Sequence, residues 1–180
     1  MLNHTCVMAK QSTFDSSFLV LTTDSLQAYR IKYILAKLTR YVDNYYIGNY
    51  EDRDLSEFMI KGIEKEHILP ENPEKELRDS FGEEYDAYKI KLGNLTLFEK
   101  PMNIVARNDF FDLKKELYKD SKFYLTRSLS GLITVGKNSS INRINARLKS
   151  FDKWSKQEID DRQKILLDLA HDVWKVEVLE

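Results

Sequence analysis

Apolar residues recur at helical spacing in two long stretches of the chain. In the first, apolar residues separated by three or four positions form one stripe: Ala28, Ile31, Leu35, Leu38 and Val42. Ile34 and Tyr41 widen this stripe. This spacing predicts a core-facing helix that is capped by Asp24 or Ser25 and runs to about Asn44. In the second stretch, Ser155-Lys156-Gln157-Glu158 has the form of a capping box. It predicts a long C-terminal helix, whose apolar residues are Ile159, Ile165, Leu166, Leu169 and Val173.

A strand pattern stands between these helices. Apolar and charged residues alternate from Ile63 to Leu69, and Pro70 then ends the pattern. Leu95-Thr96-Leu97-Phe98 is a second run with high β propensity, preceded by the turn residue Gly93 and interrupted by Pro101. The two runs predict a hairpin with a long insertion between its strands. A charged helix from Glu74 to about Tyr88, weakened by Gly82, lies within the insertion.

The remaining segments give weaker patterns. Residues 1–20 are polar and unpatterned, which indicates a loose or partly extended start, and residues 44–54 are rich in tyrosine and irregular. Shorter helices are expected at residues 55–60, 110–119 and 139–151. The chain is therefore expected to be α+β and mainly helical.

Composition narrows the class of protein. A hydrophobic content of 42% and a charged content of 32% describe a globular chain of 180 residues. The single cysteine, Cys6, excludes an internal disulfide and a multi-cysteine zinc site. No apolar run approaches the roughly 18 residues of a membrane span, and the N-terminus lacks the features of a signal peptide. We therefore expect a cytoplasmic protein.

Charge is segregated along the chain, although the net charge is only −1. Residues 51–86 contain 13 acidic and five basic residues, whereas residues 87–150 contain five acidic and 13 basic residues. Lysines and arginines on one surface gain free energy from phosphates by releasing condensed counterions. The basic half indicates nucleic-acid binding, but a helix-rich segment that carries many solvated lysines would have the same composition.

Candidate chemistry lies around the predicted hairpin. Glu66-His67 comes shortly before Pro70, and Asn94 and Asn103 flank the second strand. A neutral histidine can take a proton from water at neutral pH. A glutamate and an asparagine can supply the few oxygen ligands that Mg²⁺ needs. Alone, each of these residues is also common as a packing or turn residue.

Taken in order along the chain, these segments resemble the GmrSD-type restriction endonuclease C-terminal domain family, a branch of the His-Me finger (HNH) nucleases. The matching segments are residues 63–73, residues 92–97 and Asn103, then Phe111, Lys114, Lys115, Tyr118 and Ser121, then Trp154, Ile159, Arg162, Leu166, Ala170 and Trp174. The step of nine residues from Asn94 to Asn103 also resembles the HNH domain of RNA-guided nucleases. Pro101-Met102 and Asp109-Phe110 depart from the family pattern, so the expected geometry of Asn103 is less secure than that of His67.

The resemblance implies a fold and a set of roles. It implies an HNH-type nuclease domain at residues 61–180, with a ββα-metal finger at about residues 61–120, helices at about residues 121–176, and residues 1–60 as a helical extension packed on that core. By the resemblance, His67 is the general base, Asn94 fixes the loop and orients His67 or the phosphate, and Glu66 and Asn103 hold Mg²⁺ or Mn²⁺. Lys114, Lys115 and Arg107 are expected to contact DNA phosphates.

The resemblance also implies a setting, with alternatives. It points to cleavage of foreign DNA by a restriction or phage-defence system. The family commonly also has an NTPase domain of ParB-like fold, but no Gly-rich phosphate loop precedes the nuclease segments here, so that activity is expected either in a separate partner subunit or not at all. One alternative is a catalytically inactive DNA-binding or assembly module. Another is a toxin nuclease that cuts RNA with the same residues.

Overall fold

The computed structural model describes residues 4–47, 53–134, 136 and 139–176. Its helices are α1 (His4–Leu19), α2 (Ala28–Ile47), α3 (Ser56–Met59), α4 (Lys75–Phe81), α5 (Tyr85–Lys89), α6 (Lys100–Ala106), α7 (Phe111–Tyr118), α8 (Tyr124–Arg127), α9 (Ser140–Asn145) and α10 (Lys156–Val173). Its strands are β1 (Ile63–His67) and β2 (Leu95–Glu99), and a 3₁₀ turn (Leu92–Asn94) precedes β2. The chain is α+β and mainly helical, as predicted.

The predicted hairpin is confirmed. Strands β1 and β2 pair antiparallel, with Ile63 opposite Glu99 at one end and His67 opposite Leu95 at the other. Helix α6 follows β2 without a loop, and Pro101 lies in its first turn, where a missing backbone N–H costs nothing. The proline that was expected to interrupt the second strand therefore starts a helix.

Helix α2 crosses the centre of the molecule. Its predicted stripe is confirmed at Ile31, Leu35, Leu38 and Val42, which have no exposed surface, whereas the first predicted member, Ala28, is exposed. The four buried residues share one hydrophobic core with residues of β2 and α10, including Leu95, Leu97 and Leu166. Helix α2, from the predicted extension at residues 1–60, thus packs on the rest of the chain, and the division at residue 60 stays a prediction.

Helix α10 begins as its sequence predicts and holds the turn before β2. Ser155 and Glu158 form the capping box. Arg162 Nη1 donates to the carbonyl oxygens of Gly93 and Leu95 at 2.8 and 2.6 Å. Gln163 accepts a hydrogen bond from the Gly93 N–H. A Cβ on Gly93 would lie 2.4 Å from the carbonyl oxygen of Ile159, so only glycine allows this approach.

Four predictions about the helices need correction. The segment expected to be loose forms α1, which is anchored by hydrogen bonds from Gln163 Nε2 to the Phe18 carbonyl oxygen and between His171 and Asp15, at 2.7 and 2.6 Å. Helix α2 begins at Ala28, so Asp24 and Ser25 do not cap it.

Within the insertion, Gly82 has a φ of 93° and separates α4 from α5, because a left-handed backbone cannot continue a helix. The helix predicted at residues 139–151 is α9 alone, capped by the Ser139 side chain. The tyrosine-rich segment is helical as far as Ile47, and its residues 48–52 lie outside the described part. None of the described helices is long and apolar enough to cross a lipid bilayer.

Candidate functional site

His67 is the last residue of β1, at the end of the hairpin where the insertion between the two strands begins. The residue is 9% exposed, and Nδ1 lies 4.0 Å from a carboxylate oxygen of Glu71. Burial first, and then the positive charges of Lys65, Lys114 and Lys89, lower the pKa of His67 to about 3. The imidazole is therefore neutral at physiological pH, which is the form that accepts a proton.

The segment after His67 is held by Asn94, which is fully buried. Asn94 Nδ2 donates to the carbonyl oxygens of Leu69 and Lys89, both at 2.9 Å. Asn94 Oδ1 accepts from the Leu69 N–H at 2.7 Å and from Trp154 Nε1 at 2.9 Å. These four bonds use both donors and both acceptor positions of the amide.

Asn94 was grouped with His67 as catalytic, with the expected role of fixing the loop and orienting His67 or the phosphate, and its hydrogen bonds to Leu69 agree with the first of these roles. An amide with every position engaged inside the protein has nothing left for a phosphate. Asn94 acts as a positioning residue, because it fixes the backbone two residues beyond His67.

Glu66 lies on the opposite face of β1 from His67, since neighbouring strand residues point to opposite sides. It is 4% exposed. Its Oε1 accepts hydrogen bonds from Lys114 Nζ at 2.7 Å and from the Tyr118 hydroxyl at 2.9 Å. Burial raises the pKa of the Glu66 carboxyl, and the Lys114 charge and both hydrogen bonds oppose that rise.

Lys114 was predicted to contact DNA phosphates, and the structure contradicts this. Its side chain has no exposed surface. The ammonium binds Glu66 and also donates to the carbonyl oxygen of His67 at 2.7 Å. Lys114 is therefore an internal counter-ion that joins α7 to the end of β1.

Asn103 comes from α6, close to β1. Its Nδ2 donates to Glu64 Oε2 at 3.1 Å, and Lys100 pairs with the other oxygen of Glu64 at 2.9 Å. The side-chain hydrogen bonds of Lys100 and then of Asn103 lower the pKa of Glu64. Glu64 was not predicted as part of the site. Its position two residues before Glu66, and so on the same strand face, was the signal in the sequence.

One polar cleft of about 210 Å³ unites four predicted residues, Glu66, His67, Asn103 and Arg107. Arg107 ends α6 with a φ of 42°, a left-handed conformation that is strained for a residue with a Cβ. Lys115 does not line the cleft; it pairs with Asp152 at 3.2 Å. Its role as a phosphate contact stays a prediction.

The donors in the cleft restrict which metal could bind there. No group of three or more histidine, cysteine, aspartate or glutamate side chains among the described residues could hold a metal ion. A closed zinc site of the structural kind therefore does not fit this part of the chain. One carboxylate and one amide oxygen, from Glu66 and Asn103, fit Mg²⁺ or Mn²⁺, because Mg²⁺ keeps several waters and needs few protein ligands.

Three residues that matched the family resemblance without a predicted role hold residues of the site in place. Trp154 supports Asn94, and Tyr118 supports Glu66. Arg162 is 2% exposed and uses Nη1 to hold the turn before β2, while its buried Nη2 has no hydrogen-bond partner among the described residues. The resemblance included all three residues, but no local pattern showed which partners they would have.

Comparison with known proteins gives one family. No curated protein and no solved structure matches the chain. The family model described as GmrSD restriction endonucleases, C-terminal domain, matches residues 8–169. The match begins in α1 and ends in α10, so it includes most of the described elements as well as the cleft. The chain belongs to the GmrSD restriction endonuclease C-terminal domain family.

Proposed function

We propose that this protein is a metal-dependent endonuclease that cuts DNA in a restriction or phage-defence system. Membership of the family supports a role related to restriction endonucleases and supports nuclease activity. The observation that carries the proposal further is the single cleft around Glu66, His67, Asn103 and Arg107. Residues of β1 and of α6, the helix that follows β2, line this cleft together, and this supports a ββα-metal core as part of the proposal.

In this proposal His67 is the general base. A water held beside the scissile phosphate gives its proton to the neutral imidazole and attacks phosphorus. The bond from phosphorus to the 3′ oxygen breaks, that oxygen takes a proton from solvent to become a hydroxyl, and the phosphate remains on the 5′ end. Asn94 keeps the His67 backbone in place, and Arg107 contacts the phosphate.

Glu66 and Asn103 would hold Mg²⁺ or Mn²⁺. When bound, such an ion neutralises the negative charge that develops on the leaving oxygen. Lys114 already compensates the charge of Glu66. We therefore expect the protein alone to bind the ion weakly, and phosphate oxygens of the DNA to complete its coordination.

The test is nicking of a supercoiled plasmid with Mg²⁺ or Mn²⁺ by wild type and His67→Ala. Because general-base catalysis contributes roughly 10²–10⁴ in rate, His67→Ala should be slower by at least about a hundredfold. His171→Ala is the matched control, since that histidine bonds Asp15 and does not line the cleft. Equal nicking by His67→Ala and wild type, with both proteins folded, would refute the role of His67.

Two alternatives give different results in the same assay. The internal ion pair between Lys114 and Glu66 favours a catalytically inactive DNA-binding or assembly module, because it supplies the positive charge that a metal would otherwise bring. Such a module would shift DNA in a gel and never cut it with any metal. An RNA-directed nuclease would cut RNA of the same sequence in preference to DNA. The separate ParB-like-fold NTPase subunit stays a proposal; co-purification with the native protein would test it.

A further inference from the structure

A second, larger cleft lies directly behind the segment that follows His67. Its volume is about 550 Å³, within the usual range of ligand sites. Residues 68–70 form one wall, and the other walls come from α4, α5 and the beginnings of α7 and α10. Pro70 borders both this cleft and the polar cleft that contains His67. The two clefts are therefore neighbours, separated by three residues of backbone.

The larger cleft is lined by aromatic rings. Phe111 stacks on Trp154, with ring centroids 5.2 Å apart and an interplanar angle of 27°. Phe81 packs against Tyr88 with centroids 5.9 Å apart. Phe110 also lines the cleft and is 41% exposed, so part of this aromatic surface meets solvent.

Polar groups at the cleft supply both signs of charge. Asp112 and Lys153 line it, and neither side chain forms a hydrogen bond or ion pair within the described residues. Asp160 also lines it and accepts from the Tyr88 hydroxyl at 3.0 Å. The flat rings, together with the Asp112 carboxylate and the Lys153 ammonium, suit a ligand that has a flat face, a hydrogen-bonding edge and an attached anionic group.

We propose that this aromatic cleft binds one unstacked nucleobase of the strand whose phosphate occupies the cleft at His67. The inference rests on the proposed function, because it needs a nucleic-acid substrate. A base has a π face for aromatic stacking and a hydrogen-bonding edge, and its backbone phosphate suits Lys153. The shared border at Pro70 places base and phosphate in adjacent sites, as consecutive parts of one strand require.

Trp154 connects the two clefts through hydrogen bonds. It lines the aromatic cleft, and its Nε1 donates to Asn94 Oδ1, which also accepts from the Leu69 N–H. A base that stacks in this cleft and moves the Trp154 ring acts, through Asn94, on the backbone next to His67. Occupancy of the aromatic cleft is thereby coupled to the position of the general base.

Tryptophan fluorescence gives a direct test, since the chain has only two tryptophans, Trp154 and Trp174. In a Trp174→Phe background, Trp154 is the single reporter. The protein is titrated, with EDTA and at low salt, with an oligothymidylate of about 12 nucleotides and with an abasic strand of equal length. We expect oligothymidylate to quench Trp154 and to bind about tenfold tighter than the abasic strand.

Phe110→Ala and Leu113→Ala are the matched pair of variants. Both residues are exposed, at 41% and 60%, but only Phe110 lines the cleft. Phe110→Ala should remove most of the preference for bases, whereas Leu113→Ala should keep it. Equal affinity for both strands without a Trp154 response overturns the base site.

Plasmid nicking is measured separately, so that the two proposals fail independently. A protein that nicks plasmid but shows no preference for bases retains the proposed function and loses this inference. A protein that prefers bases but never nicks retains the base site and loses the proposed function. A protein that binds neither strand loses the base site.

Discussion

Replacing Lys114 with methionine should destabilise the protein far more than the same change at the neighbouring Lys115. The Lys114 ammonium lies 2.7 Å from Glu66 Oε1, with side chains 0% and 6% exposed. At an effective dielectric constant of about 20, unit charges at that distance attract by about 6 kcal/mol. The desolvation cost of burying the lysine offsets part of this attraction. The substitution removes that desolvation cost together with the attraction. Breaking a buried pair from one side therefore costs roughly 3–5 kcal/mol of unfolding free energy.

Lys115→Met is the matched control. Lys115 pairs with Asp152 at 3.2 Å, and the Asp152 side chain is fully exposed, so solvent screens this pair. Its loss should cost at most about 1 kcal/mol. Both lysines follow Phe111 in the sequence, yet the structure gives them different environments.

The assay is urea unfolding of wild type, the two single variants and the double variant Glu66→Gln/Lys114→Met, each at pH 7 and pH 5. The double variant should regain much of the loss, because it leaves no uncompensated buried charge. In Lys114→Met the pKa of Glu66 stays raised by burial, now without the lysine to oppose it. A carboxyl with a raised folded-state pKa favours folding at low pH and loses that contribution as pH rises, so Lys114→Met should be less impaired at pH 5. Equal losses for Lys114→Met and Lys115→Met would contradict the internal counter-ion.

Two further predictions concern the rest of the core. Gly93→Ala places a Cβ 2.4 Å from a backbone oxygen of α10 and should lower the free energy of unfolding, measured in urea, by about 1–3 kcal/mol. Gly131→Ala is the control and should change the stability little, because a Cβ there meets nothing within 4 Å. Similar stabilities of the two variants would contradict the close approach at Gly93. Burial raises the pKa of Asp43 from 3.8 to about 7, so its contribution favours folding below pH 4 and is lost as pH rises to 7. Asp43→Asn should flatten the stability profile between those values, and an unchanged slope would show that Asp43 titrates normally.

The hairpin and the apolar stripe of α2 could be predicted because each produces a periodic pattern of apolar residues within a short segment of the sequence. Alternation stops at Pro70, and the apolar steps of α2 repeat over four turns. Helix α1 has no such pattern. Its anchors are Phe18 and Asp15, which bond Gln163 and His171, 145 and 156 residues later. No local reading of residues 1–20 could show those partners.

The candidate site also has features that could be predicted from the sequence and features that could not. His67, Glu66 and Asn103 were expected to converge, and they do line one cleft. Lysine is normally a surface residue, so the family resemblance suggested that Lys114 contacts DNA. The burial of Lys114 depends on Glu66, which lies 48 residues earlier in the sequence. The Glu66 carboxylate compensates the lysine charge, and an uncompensated charge would be too costly to bury. Asn94 could be recognised as important, but the three residues that form its four hydrogen bonds, Leu69, Lys89 and Trp154, lie in three different segments.

The dependence of the turn at Gly93 on α10 has a consequence during synthesis. Arg162, which bonds the Gly93 carbonyl oxygen, follows Gly93 by 69 residues. Trp154, which bonds the Asn94 side chain, follows Asn94 by 60 residues. At about 5–20 residues per second, a ribosome needs roughly 3–14 s to cover the longer interval. Throughout that delay the nascent hairpin lacks the side chains that hold the end next to its insertion, so the backbone beside His67 is not yet fixed.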